Sequence, residues 1–167
     1  MLKELWTLIK LLFLSKPSDI LGKDLEIVVM KHFPFKGYKW LMWCGRMVCR
    51  ADNEEKIQKE MLTTKFAISK NHERIHLMQA LTCNDSWVKY YLAYLWEWLK
   101  CGFLAPMSAN YVTSKYESEA YANEDDCTYC NDYDGSSLPK YTFNNRKKLY
   151  KRLGGTSKAW KEYVKSL

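Results

Sequence analysis

Histidine is scarce in this chain, with three among 167 residues, so the place of each one is informative. Glycine (7) and proline (4) are also few, which excludes collagen-like, linker-like and largely disordered chains. No long hydrophobic run is present. The most apolar stretch, residues 87–107, contains Lys89, Glu97 and Lys100. Its longest uncharged run, Tyr90 to Trp96, falls far short of the roughly 20 residues that span a bilayer. The apolar segment 2–14 is also too short to span, carries Glu4 and Lys10, and lacks a following small-residue cleavage site, so it does not read as a signal peptide. Six cysteines are too few for a secreted disulfide scaffold of this length. They point to a reducing compartment and a cytoplasmic location, with peripheral membrane contact left open.

What is abundant is apolar and aromatic: 47% hydrophobic residues, with 7 Trp and 12 Tyr, enough for a single core over 1–167. The formal net charge of +7 favours anionic partners without identifying one. Periodicity predicts a mainly α fold with a small β-hairpin, an α+β class. Helices are expected over 2–14, 53–61, 87–100 and 116–125, and another begins at Ser69 or Asn71 and runs to about Leu81. A strand is predicted over 25–30, a turn segment over Phe33-Pro34-Phe35-Lys36-Gly37, and a hairpin from Tyr38 to Arg50 that turns at Cys44-Gly45. Residues 126–142, rich in Asp, Asn, Gly, Ser and Pro, read as a mobile polar loop or insertion. A basic C-terminal helical segment, 143–167, follows, with a helix at 146–152 and a last helical turn at 160–164.

The chemistry lies in His72-Glu73-Arg74-Ile75-His76, an HExxH motif that holds two of the three histidines. Four residues turn a helix by about 400°, so the two imidazoles lie about 40° apart and about 6 Å along the axis. Both can then reach one tetrahedral Zn²⁺. Glu73, about 100° round from His72, is too far round to be a ligand. It is placed instead to take a proton from a polarised water and give it to a leaving amine. A catalytic zinc needs a third protein ligand, and no downstream histidine exists. Three glutamates remain as candidates: Glu117, Glu97 on the aromatic helix, and Glu119. On a helix Glu117 and Glu119 diverge by about 200°, so only one of them can face the metal.

His72–His76 followed by a helix carrying Glu-x-x-Ala-Tyr resembles the gluzincins, zinc metallopeptidases whose third ligand is a glutamate. Within that group, peptidases related to the CAAX prenyl endopeptidase and heat-shock protein X carry Glu-x-x-Ala-Asp on the third-ligand helix. Glu117-Ser118-Glu119-Ala120-Tyr121 is similar to that pattern, with Tyr121 in place of the aspartate. The resemblance implies Glu117 as the ligand and Tyr121 as a hydrogen-bond partner of a motif histidine. The chain also looks like a family of short bacterial HExxH proteins, through Phe33–Tyr38, Asn71–His76, Tyr90–Leu99 and Glu117–Glu124. That likeness implies a zinc site and a minimal gluzincin-like metallopeptidase domain. Residues 126–142 look like an insertion relative to it.

Weaker signals remain. Cys127-Thr128-Tyr129-Cys130 could join Cys44 and Cys49 in a four-cysteine zinc site, whereas free cysteines are the plain expectation. Arg146, Lys147, Lys148, Lys151 and Arg152 form a basic run whose ordinary meaning is a solvated helix face. The reading is therefore a zinc-dependent peptidase acting on a peptide or protein substrate. The alternatives are a basic interaction module for nucleic acid or an anionic membrane surface, or a degenerate protease fold with structural zinc. Nucleic acid is the less expected partner, because no recognition motif accompanies the basic run.

Overall fold

The computed structural model describes residues 2–34, 40–102 and 107–167. Phe35-Lys36-Gly37-Tyr38, predicted to complete the turn and open the hairpin, lies outside the described residues. The N-terminal helix is α1 (Leu2–Leu14), which Lys16-Pro17 ends by opening a 3-10 turn over Pro17–Ile20. Strand β1 (Glu26–Met30) follows, then β2 (Leu41–Trp43) and β3 (Arg46–Arg50), the two arms of the expected hairpin. Cys44 and Gly45 both take positive φ, +48° and +74°, the type I′ geometry whose twist suits an antiparallel pair. A Cβ at Gly45 would also push the Ile20 side chain aside and crowd Trp87, which adds to the preference of this φ for glycine. The sequence pattern did not reveal how β1 pairs. It lies parallel to β3, Glu26 opposite Arg46 and Met30 opposite Arg50, giving the order β1-β3-β2. Among the described residues, β2 therefore keeps one edge free.

Helix α2 (Glu54–Glu60) follows a 3-10 turn over Ala51–Asn53. The motif helix α3 (Thr64–Thr82) begins earlier than predicted. Ser69 and Asn71 are interior to it, because no glycine or proline interrupts residues 64–82. Asn71 caps a neighbour instead, its Nδ2 donating to the carbonyls of Glu124 and Asp126 at 2.9 Å each, just past the end of α6. Helix α4 (Trp87–Leu99) starts at Ser86, whose Oγ accepts from the Lys89 amide. A short α5 (Met107–Val112), absent from the sequence reading, leads to α6 (Lys115–Asn123), where Ser114 Oγ accepts from the Glu117 amide. Then come α7 (Arg146–Arg152) and α8 (Ser157–Lys165), the latter a full helix where a single turn was expected. Thr156 caps α8 by accepting from Ala159 N.

Every residue from Tyr116 to Tyr121 is buried, so α6 is covered on all sides. Tyr116 belongs to the core that Met42, Met47, Leu77 and Trp87 build between the sheet, α3 and α4. Tyr121 belongs to a second core with Val112, Tyr150, Trp160 and Val164. Trp160 crosses to α6 by donating its indole N–H to Ser118 Oγ at 3.0 Å. The segment 126–142 carries a 3-10 turn over Leu138–Tyr141 and is not the free loop expected. Tyr129, Tyr133 and Ser137 each donate to the buried carboxylate of Glu119, at 3.0, 2.7 and 2.6 Å. Among the described residues no helix is long and apolar enough to cross a membrane.

Candidate metal centre

His72 and His76 lie one turn apart on α3, and the packing of α3 against α6 brings Glu117 between them. Nε2 of His72 lies 3.3 Å from Glu117 Oε2, Nε2 of His76 lies 3.2 Å from Glu117 Oε1, and the two Nε2 atoms are 3.2 Å apart. A tetrahedral ion with ligands at about 2.0–2.1 Å separates any two of them by about 3.3 Å. The three gaps match that spacing. All three side chains are buried, and among the described residues they are the group of potential ligands that converges. Glu117 Oε2 is buried without a hydrogen-bond donor, an acceptor for which a cation is the natural partner. The residues present therefore fit a metal ion.

The outer ring nitrogens are held as metal-ligating histidines require. His72 Nδ1 lies 3.0 Å from Glu124 Oε2, and His76 Nδ1 lies 2.8 Å from Gln79 Oε1. Gln79 cannot turn its amide round. Its Nε2 donates to Glu119 Oε2 at 2.7 Å and to the Tyr116 carbonyl at 3.0 Å, two groups that only accept. Its oxygen must then face His76, which places the proton on Nδ1 and leaves Nε2 free to ligate. On the other side, Tyr94 donates to Glu117 Oε1 at 2.8 Å and fixes that carboxylate.

Electrostatics agree with the geometry. Burial disfavours charge on His72, but the neighbouring carboxylates of Glu117 and Glu124 outweigh it and hold the imidazole up to about 10. His76 is likewise raised, burial being overcome by the Glu117 carboxylate. Glu117 is held well below the usual carboxylate range because the two histidines overcome its burial. Without a metal the site is thus an ion-paired cluster that protons occupy.

Glu73 is not part of that cluster. It is half-buried, makes no hydrogen bond among the described residues, and faces a cavity of about 270 Å³ together with His76 and Glu117. Burial raises its pKa against the pull of the two histidines. Trp40 and the β2 residues Leu41, Met42 and Trp43 form one wall of this cavity, and Tyr90, Tyr94 and Trp98 of α4 form another. The lining is mostly apolar, with a few convergent polar groups at one end, as in ligand sites generally.

The other predicted residues lie elsewhere. Glu97 is buried but pairs with Lys100 at 2.5 Å and Arg146 at 3.4 Å, and the Arg146 guanidinium also binds the carbonyls of Glu97 and Thr113. Arg146, expected on a solvated face, is therefore a buried clamp between α4, α7 and the end of α5. Glu119 points away from the histidines, as the divergence on the helix requires, into its shell of hydroxyls. Tyr121 sets its ring tilted against His72, 4.6 Å between centroids, while the His72 ring donates its Nδ1 hydrogen bond to Glu124. The four cysteines do not converge: Cys44 and Cys49 are buried in the hairpin, and Cys127 is exposed. Burial pushes the Cys44 thiol up to about 12. Gln79, Tyr94 and Glu124 were missed. Spacing carried a signal for two of them, since Gln79 is three residues from His76 and Glu124 is two turns from Glu117 on the same face. Neither family models, nor curated proteins, nor solved structures provide a match to this chain.

Proposed function

We propose that the protein is a zinc-dependent peptidase of gluzincin-like organisation, with His72, His76 and Glu117 as ligands and Glu73 as general base. One observation carries the reading: a tetrahedrally spaced His–His–Glu group and an unpaired glutamate open onto the same apolar cavity. When bound, the ion supplies Lewis acidity that polarises a carbonyl and acidifies water. The chain's own residues do the rest. Glu73 takes the proton of the attacking water on its carboxylate and returns it to the leaving amine. Its raised proton affinity suits a base working near neutrality. Tyr94 holds the Glu117 carboxylate, and burial keeps the Tyr94 and Tyr90 hydroxyls protonated, so both can donate. The free edge of β2 offers main-chain hydrogen bonds to an extended peptide, and the aromatic cavity beside it suits a large apolar side chain.

The test separates binding from chemistry. Glu73→Gln keeps the shape but cannot accept a proton, so metal content stays while hydrolysis of an unstructured protein falls by about 10²–10⁴-fold. His72→Ala loses the metal. Wild-type protein that holds stoichiometric zinc and hydrolyses nothing supports the degenerate fold with structural zinc. Protein that binds no zinc overturns the reading altogether.

A further inference from the structure

Two neighbouring helices turn apolar stripes outward. On α1, Leu5, Trp6, Ile9 and Phe13 fall within about 100° of one another, and Trp6 and Phe13 are 59% and 67% exposed. On α4, Leu92, Leu95 and Trp96 make the same pattern, with Leu92 and Trp96 each 62% exposed. The opposite faces of both helices pack inward: Leu8 is buried in one small core, and Leu11 and Leu12 lie against the core that holds Trp87 and Tyr90. Helix α1 packs on α4, so the two striped helices are neighbours. Isolated exposed leucines are ordinary on a protein surface, but aligned rows on two adjacent helices are not.

The charges around the stripes choose the occupant. The exposed charged residues on the two helices and at the end of α4 are Lys3, Lys10, Lys89 and Lys100, all cationic, the last also paired with Glu97. The two acids are already paired. Glu4 accepts from the Lys31 amide at 2.7 Å and pairs with His32, and Glu97 is buried with Arg146. Each stripe also holds a tryptophan beneath a lysine: Lys10 Nζ lies 5.5 Å from the Trp6 ring and Lys100 Nζ 6.0 Å from the Trp96 ring. An indole beside an ammonium, over an apolar row, is the arrangement of side chains at the boundary between hydrocarbon and headgroups. At 13 residues each helix is about 20 Å long, too short to cross a bilayer but suited to lying in its interface. A second copy of the chain on the same face would oppose lysine to lysine with no exposed acid between them.

We infer that α1 and α4 together form a docking face for a bilayer rich in anionic phospholipid. Docking there sets α4 between the bilayer and the cavity, because α4 carries Tyr94 and Trp98 on the side away from its stripe. The inference does not depend on the metal site.

The experiment uses the full chain with vesicles of phosphatidylcholine, with and without phosphatidylserine. The protein should co-sediment with the anionic vesicles, its tryptophan emission should shift blue, and added salt should release it, by about five-fold for each lysine disengaged. The double variant Trp6→Glu, Phe13→Glu removes only exposed side chains and should weaken binding more than about ten-fold at unchanged melting temperature. Lys10→Glu with Lys89→Glu should abolish the preference for anionic lipid. Equal binding by wild type and Trp6→Glu, Phe13→Glu overturns the inference, as does the absence of binding to anionic vesicles. A concentration-dependent dimer that the same double variant dissolves would assign the face to self-association and overturn it as well.

Discussion

Replacing Gln79 by leucine removes a side chain that no solvent touches and that bonds in two directions. The variant keeps nearly the volume but loses the 2.7 Å bond to Glu119, the 3.0 Å bond to the Tyr116 carbonyl and the 2.8 Å bond that orients His76. Glu119 stays satisfied by three hydroxyls, so the main folding loss is the bare Tyr116 carbonyl and the His76 N–H. Together these cost on the order of 2–3 kcal/mol, or about 5–10 °C in melting temperature. The effect at the site is separate. With His76 free to rotate or change tautomer, zinc affinity should drop about 10–100-fold, near 1.4–2.7 kcal/mol. Chelator competition on the folded variant measures the second effect, and thermal melts of metal-free protein measure the first. Tyr133→Phe is the control, since it takes one donor from Glu119 without moving Gln79 and should lower stability by about 1 kcal/mol at unchanged affinity. A folded Gln79→Leu protein binding zinc within about two-fold of wild type would refute the reasoning.

Metal analysis should find zinc lost in Glu117→Ala and retained in Glu97→Ala and Glu119→Gln; retention in Glu117→Ala would remove α6 from the site. The pH dependence should invert with loading. In metal-free protein His72, raised from 6.5 to about 10, adds stability in full below pH 6.5 and loses it as pH rises toward 10. Glu117, lowered from 4.5, adds stability above that value and loses it on further acidification, so the chelated protein should be firmest near pH 4.5–6.5. Zinc must displace the imidazolium proton, so its affinity should climb with pH above neutrality, as titrations at pH 6, 7 and 8 would show. Arg146→Met should cost about 3 kcal/mol, roughly 6–12 °C, by leaving Glu97 to Lys100 alone; a shift under about 2 °C in calorimetry would show the clamp to be idle.

Much of the frame was legible in the chain. The apolar rows of 2–14 and 87–100, the breaker Asn84-Asp85-Ser86 and the Cys44-Gly45 turn mark their elements by local rules. Where local rules failed, tertiary contacts had decided. Glu119 reads as a solvated carboxylate because nothing within a few residues can cover it; its partners Tyr129, Tyr133 and Ser137 come from the next segment, and Gln79 from another helix. Arg146 looks like one of five surface cations until Glu97, forty-nine positions earlier, meets it. The parallel pairing of β1 on β3 leaves no trace in alternation. The candidate site was half legible: HExxH announces two histidines and a glutamate on one helix. Choosing among Glu97, Glu117 and Glu119 depends on which face of α6 meets α3, and a burial pattern closed on every side carries no such preference.

A ribosome releases His72 and His76 long before it completes anything that can hold an ion. Glu124, which steadies His72, is fifty-two positions further on. Tyr116–Tyr121 stays wetted on one flank until Trp160, forty-two positions after Ser118, closes over it. Metal therefore cannot template the early collapse of this chain, as it does in a zinc finger. An ion at the proposed site would enter a folded scaffold through the mouth of the cavity, and zinc added to the folded metal-free protein should load it. A shortened chain ending before 157 would expose α6 and discard the site with it, although every proposed ligand would still be present in its sequence.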